Sequence, residues 1–418
     1  MSEASPRARL PWPLRALNLA GGAARAVGLP LLELDPEAAL AAASGRSGLA
    51  DFGDARFRAP LRLLFESYEQ DARLTAFGRL VVRRDAQRLL ENRLHLQDAW
   101  SRHPEILAGE IRAPIFVLGL PRTGTSILHE LLAQDPANRT PMTWEVQRIW
   151  PPPERVSFES DPRIAEAERH YSGVDRVLPD FRRIHRMGAR LPQECVALTC
   201  HDFASLVFHT SHRVTRYQAW LDGADLRFVY ESHRRQLQYL QWRAPAERWV
   251  LKSPGHLWAL GDLLAVYPDA RIVQTHRDPL RVVASLAHLV TVLRGMASDD
   301  VDSREIGADW TRRLADGLGR TLTVRRSGAL PPERVFDIHF GKLVGHEIAT
   351  IRRLYAHFGL ALSEEAEARM ARYLAAHPKD GQGAHRYALA EAGLDAATER
   401  KRYAAYQEHF RVADEALP

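Results

Sequence analysis

The stretch "GLPRTGTS", Gly119 to Ser126, sets small, hydroxyl-bearing and cationic residues between an apolar run and a helical one. A strand that feeds a tight turn into a helix makes an anion site. The first N–H groups of the helix have no partner within it, and the dipole favours negative charge there. Gly124 lets the backbone approach an oxyanion closely, Thr123, Thr125 and Ser126 add hydroxyl donors, and Arg122 adds a guanidinium. The loop that grips nucleoside triphosphates, G-x-x-x-x-G-K-S/T, needs a lysine after its second glycine and a hydroxyl on magnesium. That lysine is missing here, and no apolar strand ends in an aspartate placed to hold a metal. The loop reads as a phosphate cradle that is poorly equipped for nucleoside triphosphates.

A second constellation lies in "QTHRDPLRVVASL", where Arg277 ends a β-rich run and Ser285 follows eight residues later, about two helical turns on. A planar guanidinium suits a phosphate bidentately, and a helix-borne hydroxyl completes its shell. Two oxyanion sites at neighbouring strand ends suit one nucleoside phosphorylated at both its 5′ and 3′ positions. Lysine is rare in this chain: of 57 basic residues only Lys252, Lys342, Lys379 and Lys401 are lysine. One of the four, Lys252, ends the run "RWVLK" and stands out against that background.

Positioning these groups requires a sheet. "PIFVLGL" from Pro114 is a short continuous apolar run of the kind buried on both faces. "RWVLKSP", "ARIVQTHRDP" and "RVFDIHF" are further β-rich runs with helical segments between them. That alternation predicts an α/β fold, a parallel sheet flanked by helices. Residues 1–112 read as a helical N-terminal extension packed on a core of 113–418. A mostly helical, aromatic insertion occupies about 151–247, on the acceptor side.

The composition, 45% apolar and 26% charged, is that of a globular protein, and no apolar run reaches the length of a membrane span. The N-terminus has basic residues but no clean signal-peptide pattern, and it suggests at most a peripheral membrane contact. Cys195 and Cys200 fit neither a disulfide framework nor a zinc knuckle, so the expected compartment is the cytoplasm. A net charge of +5 favours anionic ligands, but the basic residues form no stripe for nucleic acid. His201, His209 and His212 share one stretch without a carboxylate at metal-site spacing, and no metal is expected.

The two motifs together, in this order, resemble those of the sulfotransferases that use 3′-phosphoadenosine-5′-phosphosulfate (PAPS). "LGLPRTGTS" resembles their 5′-phosphosulfate loop and "THRDPLRVVAS" their 3′-phosphate motif. The version here is similar to the bacterial branch and to the tyrosylprotein sulfotransferases, and the likeness runs from about Pro114 to Phe358. It implies a P-loop-like fold, PAPS as co-substrate, and in-line transfer of a sulfuryl group to a hydroxyl or amine. Arg122, Thr123, Gly124, Thr125 and Ser126 would then hold the 5′-phosphosulfate, and Arg277 and Ser285 the 3′-phosphate. Glu145 in "TWEV" falls where the tyrosylprotein branch keeps its base, and Lys252 where it keeps a lysine near the leaving oxygen. Cytosolic relatives use a histidine base, for which His185 and His256 are the nearest candidates. In "PKDGQGAHRY", Arg386 would close over the nucleotide, although the stretch departs from the usual R-K-G-x-x-G pattern. The alternatives are an ATP-dependent small-molecule kinase and a non-catalytic nucleotide-binding module. The aromatic insertion points to a small-molecule or lipid-like acceptor.

Overall fold

The computed structural model describes residues 10–29, 32–177, 186–245, 247–377 and 389–417. Five strands among them form one parallel sheet: β1 (Ile115–Gly119), β2 (Asn138–Arg139), β3 (Arg248–Lys252), β4 (Arg271–His276) and β5 (Val335–His339), in the order β2-β3-β1-β4-β5. The chain starts at the centre, adds β2 and β3 on one side, then crosses to add β4 and β5 on the other. The strand ends on either side of that crossing are where ligands bind in open α/β sheets.

β1 is buried along its whole length, as its unbroken apolar run requires. Alternate residues serve opposite faces of the sheet. Phe116, Leu118, Leu251 and Ile272 enter the larger core, with the helices that follow β3 and β4. Ile115, Val117, Val250 and Val273 enter a second core, with Leu128, Leu131 and Leu132 of the helix after β1. The two-residue β2 is too short to leave a periodic signal in the sequence.

Four helices precede the sheet: α1 (Trp12–Ala26), α2 (Pro36–Ser47), α3 (Arg58–Gln70) and α4 (Ala76–Arg102). Asp35 and Thr75 cap α2 and α4 through their side chains, and Gly48 ends α2 in the left-handed conformation. Leu61, Leu64, Phe65, Leu90 and Leu94 of α3 and α4 share a core with Phe203, Phe208, Tyr217 and Val229 of the insertion. Most of the insertion's aromatics therefore pack inward. Both cysteines are buried and free. Among the described residues no helix is long and apolar enough to cross a membrane.

Candidate active site

The cradle begins where β1 ends. Helix α5 (Thr125–Leu132) follows Gly124, which serves as its N-cap at φ 91° and offers no side chain to the first-turn amides. Those amides point out of the helix end without an internal acceptor. Any Cβ at Gly124 would sit 2.6 Å from Leu343 Cδ2, so the close packing and the positive φ both demand glycine. Arg122 is also left-handed, at φ 65°, which an L side chain adopts at a cost of about 1 kcal/mol or more. Thr123 is fully buried. Its hydroxyl donates to the Leu120 carbonyl at 2.5 Å and lies 2.6 Å from Thr275 Oγ1, so it ties the loop to β4 and leaves ligand contacts to its neighbours.

Lys252 is the last residue of β3, and its register beside Val117 carries its side chain to the mouth of this loop. Nζ donates to Ser126 Oγ at 3.2 Å and pairs with the Glu194 carboxylate. The lysine is 4% exposed, an ammonium held largely out of water. Glu194 escaped the sequence reading. It is the N-cap residue of a short helix, Cys195–Thr199, 58 positions before Lys252, and only the fold brings the two together. Lys252 also acts on His129, a buried residue of α5. Burial, reinforced by the ammonium, pushes that imidazole down to about 3.

Glu145 is placed differently from what the resemblance implies. It is fully buried, with Oε1 2.6 Å and Oε2 3.1 Å from the two terminal nitrogens of Arg139. Oε2 also accepts the Met142 N–H at 2.9 Å, a capping contact for the short helix α6 (Thr143–Gln147) that carries it. Arg139 in turn donates to the carbonyls of Leu240 and Ala244 and lies between the rings of Phe158 and Trp249. A carboxylate held on both oxygens inside the core is placed to hold α6 and β2 against the insertion, and no acceptor hydroxyl reaches it in this arrangement.

Arg277 follows β4 and does reach the cradle: its NH1 donates to the Arg122 carbonyl at 2.9 Å. The two expected anion sites thus lie side by side. The Arg277 guanidinium lies over Phe340, 4.0 Å from the ring centroid, and its Nε and NH2 both donate to the Glu415 carboxylate at 2.9 Å. Asp278 anchors that C-terminal segment by accepting the Glu415 N–H at 2.8 Å, while its other oxygen caps the helix Pro279–Arg294. A carboxylate in this structure therefore sits on the guanidinium expected to bind a phosphate. Ser285 lies half-buried on the same helix. Arg386 and His185 fall outside the described residues.

The remaining histidines have structural partners. His256 is buried, with Nδ1 2.8 Å from the Tyr230 hydroxyl, and burial holds its pKa well below the usual value. His201 contacts Asn92 and Gln236, His209 contacts Asp309, and His212 packs edge-on against Tyr68. Burial lowers all three to about 4.

A pocket is lined by residues that neighbour Lys252 and Glu194 in the chain. Cys195 and Val196, directly after Glu194, line it, as do Ser253, Gly255 and His256, just beyond Lys252. Val229, Leu221 and Trp258 make it largely apolar.

The donor set fits a doubly anionic nucleotide. The open amides of α5 and the Ser126–Lys252 contact lie at the end of β1, and Arg277 reaches the same loop at the Arg122 carbonyl. Comparison with known proteins agrees. The model of the sulfotransferase family matches residues 114–364. The omega-hydroxy-beta-dihydromenaquinone-9 sulfotransferase Stf3 of Mycobacterium tuberculosis is 27% identical over 284 residues, 63% of this chain and 67% of that protein. The crystal structure of sulfotransferase STF9 from Mycobacterium avium superposes with a TM-score of 0.85 at 30% identity, covering 92% of this chain and 98% of that one. Sulfotransferase STF1 from Mycobacterium tuberculosis gives 0.80 at 32% identity, covering 90% and 100%. The chain belongs to the PAPS-dependent sulfotransferase family.

Proposed function

We propose that this chain transfers the sulfuryl group of PAPS to a hydroxyl of a lipid-like small molecule. The carrying observation is the Ser126–Lys252–Glu194 cluster at the open N-terminus of α5. Bound PAPS supplies the sulfuryl group. The amides of α5, Arg122 and Ser126 would hold its 5′ end, and Arg277 with Ser285 its 3′-phosphate. The Lys252 ammonium, buried and beside Ser126, stabilises charge on the oxygen that departs. Preorganised donors of this kind are worth about 3–4 kcal/mol each in a site shielded from water. Glu194, whose chain neighbours Cys195 and Val196 line the pocket, accepts the proton that the acceptor hydroxyl loses as it attacks sulfur, a role that contributes ~10²–10⁴-fold. Glu145 holds the wall of the site.

The largely apolar pocket that Cys195 and Val196 line supports a hydrophobic acceptor, and the mycobacterial relative is named for a hydroxylated dihydromenaquinone. An ATP-dependent kinase fits less well, because the lysine at the loop comes from β3 instead of following Gly124. Titration calorimetry tests the reading. Adenosine 3′,5′-bisphosphate should bind, and more weakly after Arg277→Ala. Tighter binding of ATP–Mg²⁺ than of the bisphosphate would overturn it.

A further inference from the structure

Helix α1 half-buries Leu14, Leu17 and Asn18 and buries Gly21. Asn18 Oδ1 accepts the Phe77 N–H at 2.9 Å, and Arg25 donates to the Leu74 carbonyl at 2.9 Å. Gly21 is buried so closely against α4 that a Cβ there would meet Ala76 Cβ at 2.5 Å. At 3.6 residues per turn Asn18, Gly21 and Arg25 form one side, and Trp12, Ala16, Leu19 and Ala23 form the other. That second side faces solvent. Trp12 is 73% exposed and Leu19 76%, and Val27 and Leu29 just past the helix are 73% and 60% exposed. Half of the large apolar side chains that are exposed among the described residues fall in this one segment. Clustered exposed apolar side chains of this kind mark an interaction surface.

We infer that α1 docks the protein onto an anionic lipid surface, lying in the interface with Trp12 and Leu19 among the acyl chains. Charge selects this occupant. Residues 1–29 carry Arg7, Arg9, Arg15 and Arg25 against a single acid, Glu3. Such a segment is drawn to anionic headgroups, whereas pairing with a second copy of itself would set like charges together. The prolines flanking Trp12 start the helix where a missing N–H costs nothing, and they leave the indole at its tip, the usual place of an interfacial anchor. The inference stands apart from the sulfuryl-transfer reading, since it uses none of the cleft residues.

Co-sedimentation of the full chain with vesicles tests it. Vesicles containing phosphatidylglycerol should bind the protein, phosphatidylcholine alone should bind it far less, and added salt should weaken the binding. Leu19→Glu and Trp12→Ala, both at exposed positions, should lower partitioning about tenfold or more while leaving the melting temperature and bisphosphate binding unchanged. Binding that ignores these substitutions, or that does not prefer the anionic lipid, overturns the inference. So does a concentration-dependent dimer abolished by Leu19→Glu, which would make the stripe a contact between copies of the chain.

Discussion

Two carboxylate–cation pairs, Arg139–Glu145 and Lys252–Glu194, each join a strand to a short helix, and they do so in different ways. In the first, the guanidinium and a backbone amide take up both oxygens, two aromatic rings enclose the cation, and neither side chain faces the cleft. In the second, the ammonium also touches the hydroxyl of the anion loop, and the residues just beyond both partners line the pocket. Burial and pairing alone do not identify a catalytic carboxylate. What separates the two is whether the partner cation also reaches the place where charge will move.

The largest test of this contrast is Glu194→Gln. It should keep the fold and lower kcat by about 10²–10⁴-fold, measured as sulfate transfer from labelled PAPS. An unchanged turnover would return the base to another residue. Glu145→Ala should do the reverse. With Arg139 left buried and unpaired, the protein should lose about 3–5 kcal/mol of stability in denaturant unfolding. The milder Glu145→Gln keeps the chain folded for assay, and turnover per folded molecule should survive. A Glu145→Gln enzyme that melts normally but is inactive would invert the comparison. The smallest effect concerns a third pair, Arg277–Glu415, which is partly exposed. Glu415→Gln should tighten adenosine 3′,5′-bisphosphate binding by roughly 1 kcal/mol or less, the scale of an accessible ion pair. Weaker binding would mean that the tail supports the nucleotide site instead of competing for it.

The cradle was legible in the sequence because small residues between an apolar run and a helical run leave few alternatives. The four longer strands announced themselves by composition. Lys252 stood out through the scarcity of lysine. Glu194 was hidden because its partner lies 58 positions away and nothing local marks a carboxylate that precedes a short helix. Glu145 misled for a related reason. Its neighbours matched a family pattern, whereas its environment depends on Arg139 six positions earlier and on the Leu240 and Ala244 carbonyls about a hundred residues later. Helix α1 lies inside the helical extension expected over 1–112, despite Pro11, Pro13 and the Gly21–Gly22 pair. The prolines fall at its start, where they are tolerated, and Gly21 is used for close packing.

Because α3 and α4 share their interior with Phe203, Phe208 and Tyr217, this part of the insertion has no core of its own. An expression fragment trimmed to the strands and their own helices would bare those rings and aggregate. Exchanging the insertion between relatives therefore means transplanting both helical pieces as a matched set.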